Sequence, residues 1–159
     1  MGVSGAGKSE IASRLAKKLG MPFIEADNFH SDANKAKMFA GIPLTDGDRW
    51  PWLALVGAEI AAHEVAVATC SALKRVYRDR LRDAAPGIFF VELDGSRELL
   101  ASRLAGRRGH FMAAGLIDSQ LATLEPLQLD ERGLRIDISP GIGKLVSTIL
   151  DNLDRVGGP

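Results

Sequence analysis

The 159-residue chain has the length and composition of one globular domain, with 46% hydrophobic and 25% charged residues. Its 20 basic and 20 acidic side chains cancel, which excludes an overall charge that would attract nucleic acid or an anionic membrane. A single cysteine excludes an intrachain disulfide, and the longest apolar stretch, residues 53–62, is too short to span a bilayer. We therefore expect one cytoplasmic domain over residues 1–159.

The first feature in chain order is a phosphate-binding sequence. Residues 2–9, GVSGAGKS, fit the pattern G-x-x-x-x-G-K-[ST]. Glycines let backbone N–H groups close around phosphate oxygens, while Lys8 reaches the β- and γ-phosphates and Ser9 offers a hydroxyl to Mg²⁺. The helix that follows points the positive end of its dipole at the anion. The predicted nucleotide-binding residues here are Gly2, Ser4, Gly5, Ala6, Gly7, Lys8, Ser9 and Glu10.

A phosphate-binding loop of this kind normally follows a strand at the centre of its sheet. Only residues 1–3 precede the loop in this sequence. We therefore expect either a start further upstream or a first strand of which the sequence holds only the end.

Hydrophobic periodicity predicts that helices and strands alternate along the chain. The predicted helices cover residues 8–19, 31–39, 51–63, 73–85, 96–105, 112–124 and 142–156. The predicted strands cover residues 22–26, 64–70, 88–93 and 134–138, and residues 42–50 are expected to form a loop. This alternation predicts an α/β fold with a three-layer parallel sheet. Ligands of such sheets bind at the carboxyl ends of the strands.

Asp27 and His30 directly follow the strand predicted at 22–26. A carboxylate there can accept the proton of an attacking hydroxyl or orient a water on Mg²⁺, or it can simply cap a helix. His30 is either part of this site or a packed or surface histidine. Many P-loop enzymes bind Mg²⁺ through an Asp at the end of the strand that corresponds to the one predicted here at 64–70. Since none follows it here, we expect Ser9 and Asp27 to bind the metal.

Two groups of basic side chains lie near the same end of the predicted sheet. Lys74 and Arg78 are four residues apart on one helix face, which favours contact with a substrate. Arg103 and Arg107 begin a second cluster that fits a lid over about residues 104–125, because arginine offers several fixed donors to phosphate oxygens. An exposed basic helix end is the alternative for this cluster.

Taken together, these stretches resemble one family, the gluconokinases. The matching segments are MGVSGAGKS at 1–9, DNFH at 27–30, NKAKM at 34–38, GIPLTDGDRWPWL at 41–53, CSALKRVYRD at 70–79 and RRGHF at 107–111. The resemblance implies transfer of the γ-phosphoryl group of ATP, with Mg²⁺, to the 6-hydroxyl of D-gluconate. It also implies a homodimer and a nucleoside-monophosphate-kinase-like P-loop fold with sheet order 2-3-1-4-5.

The resemblance further implies a role for individual residues. Asp27 would be the catalytic base, assisted by Lys8 and Arg107. The substrate would be held by Asp27, His30, Arg49, Lys74, Arg78 and His110. Arg103 and Arg107 would close over ATP.

Two alternatives stay open on the sequence. The acceptor could be another small hydroxylated molecule, such as shikimate or a nucleotide, because the residues themselves do not identify it. The chain could also be a nucleotide-binding module that is inactive because its first strand is incomplete.

Overall fold

The computed structural model describes residues 1–106 and 114–155, with only the backbone described for residues 114–116. The helices are α1 (Lys8–Leu19), α2 (Asp32–Phe39), α3 (Asp46–Ala61), α4 (Arg75–Ala84), α5 (Arg97–Ala105), α6 (Ala114–Thr123) and α7 (Ile142–Arg155). The strands are β1 (Phe23–Glu25), β2 (Val67–Thr69), β3 (Phe90–Asp94) and β4 (Gly133–Asp137), and a 3₁₀ turn covers Ala26–Phe29. Each predicted helix and strand is thus present, with shorter bounds in most cases.

The strands pair in two parallel ladders. β1 pairs with β2 through Ile24 and Ala68, and β3 pairs with β4 from Phe90 opposite Gly133 to Asp94 opposite Asp137. Residues 1–3 are not assigned to a strand. The parallel pairing that the alternating pattern predicts is confirmed, whereas the full order of five strands stays a prediction.

The backbone of the first two residues lies between the two ladders. The Met1 ammonium donates to the Val91 carbonyl at 2.5 Å, and the Leu93 N–H donates to the Met1 carbonyl at 3.0 Å. On the other side, the Gly2 N–H donates to the Ser71 carbonyl at 3.1 Å. Met1 and Gly2 therefore connect the end of β2 to β3.

Behind Met1 the space between β2 and β3 is open, and we call it the interstrand groove. It has a volume of about 540 Å³ and is bordered by both strands, by α1 and α7, and by the ends of α3 and α4. The sheet is therefore continuous only at its carboxyl end, where Met1 and Gly2 bridge it.

Helices pack on both faces of the sheet, which gives the predicted three layers. Along β3, Phe90 packs against α3 and α4, whereas Leu93 packs against α1, α5 and α7. Positions an odd number of residues apart on a strand point to opposite faces. Within the described ranges, no helix is both long enough and apolar enough to cross a membrane.

The predicted loop over residues 42–50 is wrong in its second half, because α3 already begins at Asp46. The Thr45 hydroxyl accepts from the Asp48 N–H, and the Asp48 carboxylate accepts from the Thr45 N–H at 2.9 Å. This capping box satisfies two otherwise unpaired helix N–H groups. Pro51 suggested a later start because proline favours a first helical turn, yet it is the sixth residue of α3.

Candidate active site

The phosphate-binding loop is packed tightly against β3 and α5. Gly2 and Gly5 adopt φ angles of 134° and 84°, a region that only glycine enters at little cost. A Cβ atom on Gly2 would lie 2.8 Å from the Leu93 carbonyl oxygen, and one on Gly5 would lie 2.9 Å from that of Leu100. Glycine is therefore required at both positions, because of the positive φ angle and because a side chain would collide with a backbone oxygen.

The loop leads directly into the N-terminus of α1. The N-cap residue is Gly7, in the left-handed conformation, and it has no side-chain oxygen to cap the helix. First-turn N–H groups of this kind, together with the helix dipole, form an anion-binding site. Lys8 donates from Nζ to the Val3 carbonyl at 3.1 Å, which holds its charge against the loop. The loop therefore has the geometry of an anion-binding site, and its contact with a nucleotide phosphate stays a prediction.

Three further residues that were predicted to bind the nucleotide differ in exposure. Ala6 is fully buried, Ser9 is exposed at the start of α1, and Glu10 is exposed and pairs with Arg14 at 2.7 Å. Ser9 is therefore accessible to a ligand of the loop, while the carboxylate of Glu10 is engaged along the helix surface.

Arg103 reaches the phosphate-binding loop from the last turn of α5. Its Nη2 donates to the Ile138 carbonyl at 2.7 Å, and its Nη1 would lie 3.9 Å from a Cβ atom on Gly7. Arg103 is thus beside the loop, where a nucleotide phosphate would bind. Arg107, also predicted to close over ATP, and His110, predicted to hold the substrate, lie outside the described residues.

Asp27 lies in the 3₁₀ turn that follows β1, and its side chain is 71% exposed. The preceding Ala26 is fixed on both sides, because its carbonyl accepts from Trp52 Nε1 at 2.8 Å and its N–H donates to the Thr69 hydroxyl at 3.2 Å. The cap of α2 is Ser31, whose hydroxyl accepts from the Asn34 N–H. Asp27 is therefore an accessible carboxylate on a rigid support rather than the cap of that helix.

His30 is a packed histidine. It is 5% exposed, its ring stacks on Trp52 with centroids 4.2 Å apart, and its Nδ1 lies 3.4 Å from Nδ2 of Asn34. Burial lowers the pKa of His30, although the Asp27 carboxylate, 4.0 Å from Nε2, partly opposes this. The ring is therefore neutral at pH 7 and supports the segment that carries Asp27. A direct contact with substrate stays a prediction.

Two predicted cations, Arg49 and Lys74, line one small pocket. Its volume is about 160 Å³, and it is bordered by α3, α4 and α6. Lys74 Nζ contacts both carboxylate oxygens of Asp46, at 2.7 and 2.9 Å, and the Tyr77 hydroxyl donates to Asp46 at 2.5 Å. These hydrogen bonds lower the pKa of Asp46, those from Lys74 first and from Tyr77 second. We call this space the acceptor pocket.

The prediction that Arg78 contacts the substrate is wrong. Arg78 is fully buried and makes two 2.7 Å hydrogen bonds to Glu131, one from Nε and one from Nη2. It also donates to backbone carbonyls, including that of Glu125 at 2.9 Å. The Arg78 guanidinium therefore links α4 to the loop before β4. Of the two predicted cations on α4 and its N-cap, it is Lys74 that lines the acceptor pocket.

Gln120 on α6 is a site residue that the sequence did not reveal. Its Oε1 accepts from the Ser4 N–H of the phosphate-binding loop at 2.7 Å, and the residue also lines the acceptor pocket. α6 is further attached to α5 by an exposed ion pair, Arg97 to Asp118, at 2.6 and 3.0 Å. The contact with Ser4 spans 116 positions along the chain, so no local sequence pattern could have indicated it.

The residues predicted to bind metal fit Mg²⁺ by their chemistry. Mg²⁺ keeps several waters and binds few protein ligands, mainly oxygens, together with substrate phosphates. The exposed hydroxyl of Ser9 and the exposed carboxylate of Asp27 are donors of this type. In the part of the chain that the structure describes, no three His, Cys, Asp or Glu side chains are grouped to hold a metal ion alone, so a phosphate would have to complete the site.

The phosphate-binding loop at the start of α1, connected through Gln120 to the acceptor pocket, is typical of a P-loop kinase. A family model described as an AAA domain matches residues 1–127. A gluconokinase of Gluconobacter oxydans is 51% identical over 86% of this chain and 79% of its own length, and a probable gluconokinase of Xenopus tropicalis is 44% identical over 98% and 92%. The crystal structure of a gluconokinase from Sinorhizobium meliloti superposes with a TM-score of 0.92 at 48% identity, over 98% of this chain and 90% of that one. The chain belongs to the gluconokinase family.

Proposed function

We propose that this kinase transfers the γ-phosphoryl group of ATP to D-gluconate and forms 6-phosphogluconate. The observation that carries the proposal is the acceptor pocket, which Arg49 and Lys74 line together with Gln120, and the Gln120 side chain contacts Ser4 of the phosphate-binding loop. A carboxylate substrate needs cations on the acceptor side, which a neutral sugar would not. The names of the similar gluconokinases support the choice of acceptor.

In the proposed reaction the 6-hydroxyl oxygen attacks the γ-phosphorus and the bond to the β,γ-bridging oxygen breaks. Asp27 takes the hydroxyl proton, and ADP leaves with the electron pair of the broken bond. Loop N–H groups and Lys8 stabilise the negative charge on the phosphates. Mg²⁺, held through Ser9 and Asp27, would neutralise part of the same charge.

We also propose that residues 104–125 act as a lid over ATP. Arg103, already beside the phosphate-binding loop, supports this, and Arg107 and His110 would join it when the lid closes. Closing arginines exclude water and bind phosphate oxygens through several fixed donors.

Measuring the release of ADP tests directly which molecule is the phosphoryl acceptor. Gluconate, shikimate and nucleoside monophosphates would be compared as acceptors with Mg-ATP, and we expect turnover with gluconate to exceed the others by orders of magnitude. Preferential turnover of shikimate or a nucleotide would replace gluconate by that acceptor.

Thermal unfolding with and without Mg-ATP tests whether the chain is an inactive nucleotide-binding module. A nucleotide at about 100 times its dissociation constant stabilises by about 2.7 kcal/mol, which raises the midpoint by about 5–10 °C in a chain of this size. A shift without turnover of any acceptor would support a nucleotide-binding module, and no shift would argue against binding of ATP.

Replacing Gln120 by alanine should strengthen ATP binding in the absence of gluconate by about 2–10-fold. The Ser4 N–H would no longer be occupied by Oε1 and would be available to a phosphate oxygen. Calorimetric titration measures this affinity. Gln128→Ala is the matched control, since its exposed amide donates to the Pro126 carbonyl at 2.7 Å, away from the phosphate-binding loop. Weaker ATP binding in Gln120→Ala would instead mean that this amide contacts the nucleotide.

We further propose a cytoplasmic homodimer, as the family resemblance implies. The single cysteine, Cys70, which is free and buried, supports a reducing compartment because the chain uses no intrachain disulfide. Light scattering during gel filtration would give the molecular mass, and a monomeric mass at micromolar concentration would contradict the dimer.

A further inference from the structure

The N-cap residue of α4 is poorly suited to its position. It is Lys74, and a lysine side chain carries only hydrogen-bond donors, whereas the first-turn N–H groups of a helix need an acceptor. Serine, threonine, aspartate and asparagine are favoured there because a short side chain with an oxygen can accept from those groups. Lys74 therefore stabilises the start of α4 less than a common cap would, and it is also a residue that lines the acceptor pocket.

A carboxylate from a distant part of the chain caps α4 instead. Glu125 Oε2 accepts from the N–H of Arg75, the first residue of α4, at 2.6 Å. This contact spans 50 positions along the chain. The helix dipole also favours a negative charge at this end. Because Glu125 supplies the acceptor, the N-cap position can hold a lysine that lines the acceptor pocket.

The same glutamate also binds the residue on the other side of Lys74. The Glu125 N–H donates to the Leu73 carbonyl at 2.8 Å. Residues 73 and 75 are thus both bonded to Glu125, one through its backbone and one through its side chain, with Lys74 between them. Two hydrogen bonds that flank one residue fix the direction in which its side chain leaves the backbone.

The turn that leads to Lys74 is strained. Ala72 is fully buried and has a φ angle of 42°, a left-handed conformation that costs free energy for residues other than glycine. Such strain persists only where surrounding contacts determine the backbone, and it is concentrated at functional sites. Here the Gly2 N–H donates to the Ser71 carbonyl at 3.1 Å, and Arg78 Nη1 donates to the Ala72 carbonyl at 3.3 Å. The strained turn is therefore held directly before a residue of the acceptor pocket.

We propose that Glu125 is a positioning residue of the acceptor pocket, which caps α4 and fixes the turn before it so that Lys74 is held where it binds an anionic acceptor. The proposal rests on the role of Lys74 in the proposed function. Of the described residues, Glu125 is not one that lines the pocket. It acts through the backbone on both sides of Lys74.

Steady-state kinetics of Glu125→Ala and Glu125→Gln at saturating ATP test the proposal. We expect Glu125→Ala to raise the KM for gluconate about 3–10-fold and to leave kcat within about twofold, because a contact with the gluconate carboxylate is the same in the ground state and the transition state. The amide oxygen of glutamine can accept the same hydrogen bond from Arg75. Glu125→Gln should therefore keep KM within about twofold of the parent chain. An unchanged KM in Glu125→Ala would overturn the proposal.

A double variant shows whether Glu125 acts through Lys74. Lys74→Met alone should raise the KM for gluconate about 10–100-fold. Adding Glu125→Ala should change this KM by less than about twofold, because the contact that Glu125 positions is already lost. Multiplication of the two single effects in the double variant would overturn the proposal. An unchanged KM in Lys74→Met would instead contradict the proposed function, and this proposal with it.

Thermal unfolding and a control variant separate positioning from folding. Glu125→Ala should lower the thermal midpoint by about 2–6 °C, the effect of a lost helix cap, and so stay folded in the assay. Asp130→Ala is the control, since the Asp130 carboxylate binds the Arg75 side chain, at 2.7 Å, and not its N–H. We expect its KM for gluconate within about twofold of the parent chain. An equal rise of KM in both variants would assign the effect to a lost charge near α4 and would overturn the proposal.

Discussion

Replacing Asp27 by asparagine should lower kcat for gluconate phosphorylation by about 10²–10⁴-fold, the usual contribution of a general base. The amide cannot take the hydroxyl proton, while its size is nearly that of the carboxylate. Because the side chain is 71% exposed and its support comes from the backbone of Ala26, the thermal midpoint should change by less than about 2 °C. Steady-state kinetics and thermal unfolding of the same preparation measure both quantities.

The matched control is Asp32→Asn, at the start of α2. Asp32 is also exposed and lies 3.9 Å from Lys35, so this substitution removes the same charge without removing the proposed base. We expect kcat within about twofold of the parent chain. If both variants lost activity equally, the effect would come from the net charge near the site. A fully active Asp27→Asn variant would exclude Asp27 as the base.

Replacing Arg78 by methionine should lower the free energy of unfolding by about 3–5 kcal/mol. The substitution leaves the Glu131 carboxylate buried without its main partner, although Arg82 still contacts it at 2.8 Å. Denaturant unfolding measures the change. Arg75→Met is the control, because its ion pair with Asp130 is exposed and should contribute about 0–1 kcal/mol.

A double variant, Arg78→Met with Glu131→Leu, separates the ion pair from packing. It should recover most of the stability lost in Arg78→Met, since no unpaired charge remains in the core. A double variant as unstable as the single one would assign the loss to the shape of the side chain. Unchanged stability in Arg78→Met would contradict the structural role of this arginine.

The same cluster makes stability depend on pH at the acid end. Burial alone would raise the pKa of Glu131, but hydrogen bonds from Arg78, Arg82 and the Gln128 N–H outweigh it and lower the pKa to about 2. A carboxylate whose pKa is depressed by folding stabilises the protein above its unfolded pKa, near 4.5. We therefore expect this contribution to be complete above pH 5 and to be lost as the pH falls from about 4.5 towards 2. In Glu131→Gln this part of the acid transition should be absent.

The parts of the fold that depend on neighbouring residues could be predicted from the sequence. The loop before α1 and the helices predicted to begin at Ser31 and Ser96 follow from short patterns, since the serine hydroxyl that caps each helix acts within one helical turn. The start of α3 was missed although Thr45 and Asp48 carry a local signal, because Pro51 gave a competing one.

The roles of Lys74 and Arg78 could not be distinguished in this way. Both belong to one basic stretch beside the predicted site, and both carry a positive charge. What separates them is Glu131, more than 50 positions along the chain, which binds Arg78 in the core. The contact of Gln120 with Ser4 has the same origin in tertiary structure. Spacing can indicate that a side chain lies near a site, whereas its partner depends on the packing of the whole domain.

The contacts of α6 have a consequence for how the protein responds to ionic strength. Ile117 of this helix is buried in the core cluster that also contains Leu100 and Leu104 of α5. The polar contacts of α6 include the exposed pair of Arg97 and Asp118 with α5 and the amide of Gln120 with the phosphate-binding loop. Salt weakens an exposed ion pair but leaves a neutral amide contact almost unchanged. Buffers of high salt should therefore weaken the ion pair with α5, by about 0–1 kcal/mol, while the apolar packing of Ile117 and the contact of Gln120 remain. The concentration of ATP needed for half-maximal rate would then vary only slightly with salt through the position of this helix, in addition to the screening of the nucleotide's own charge.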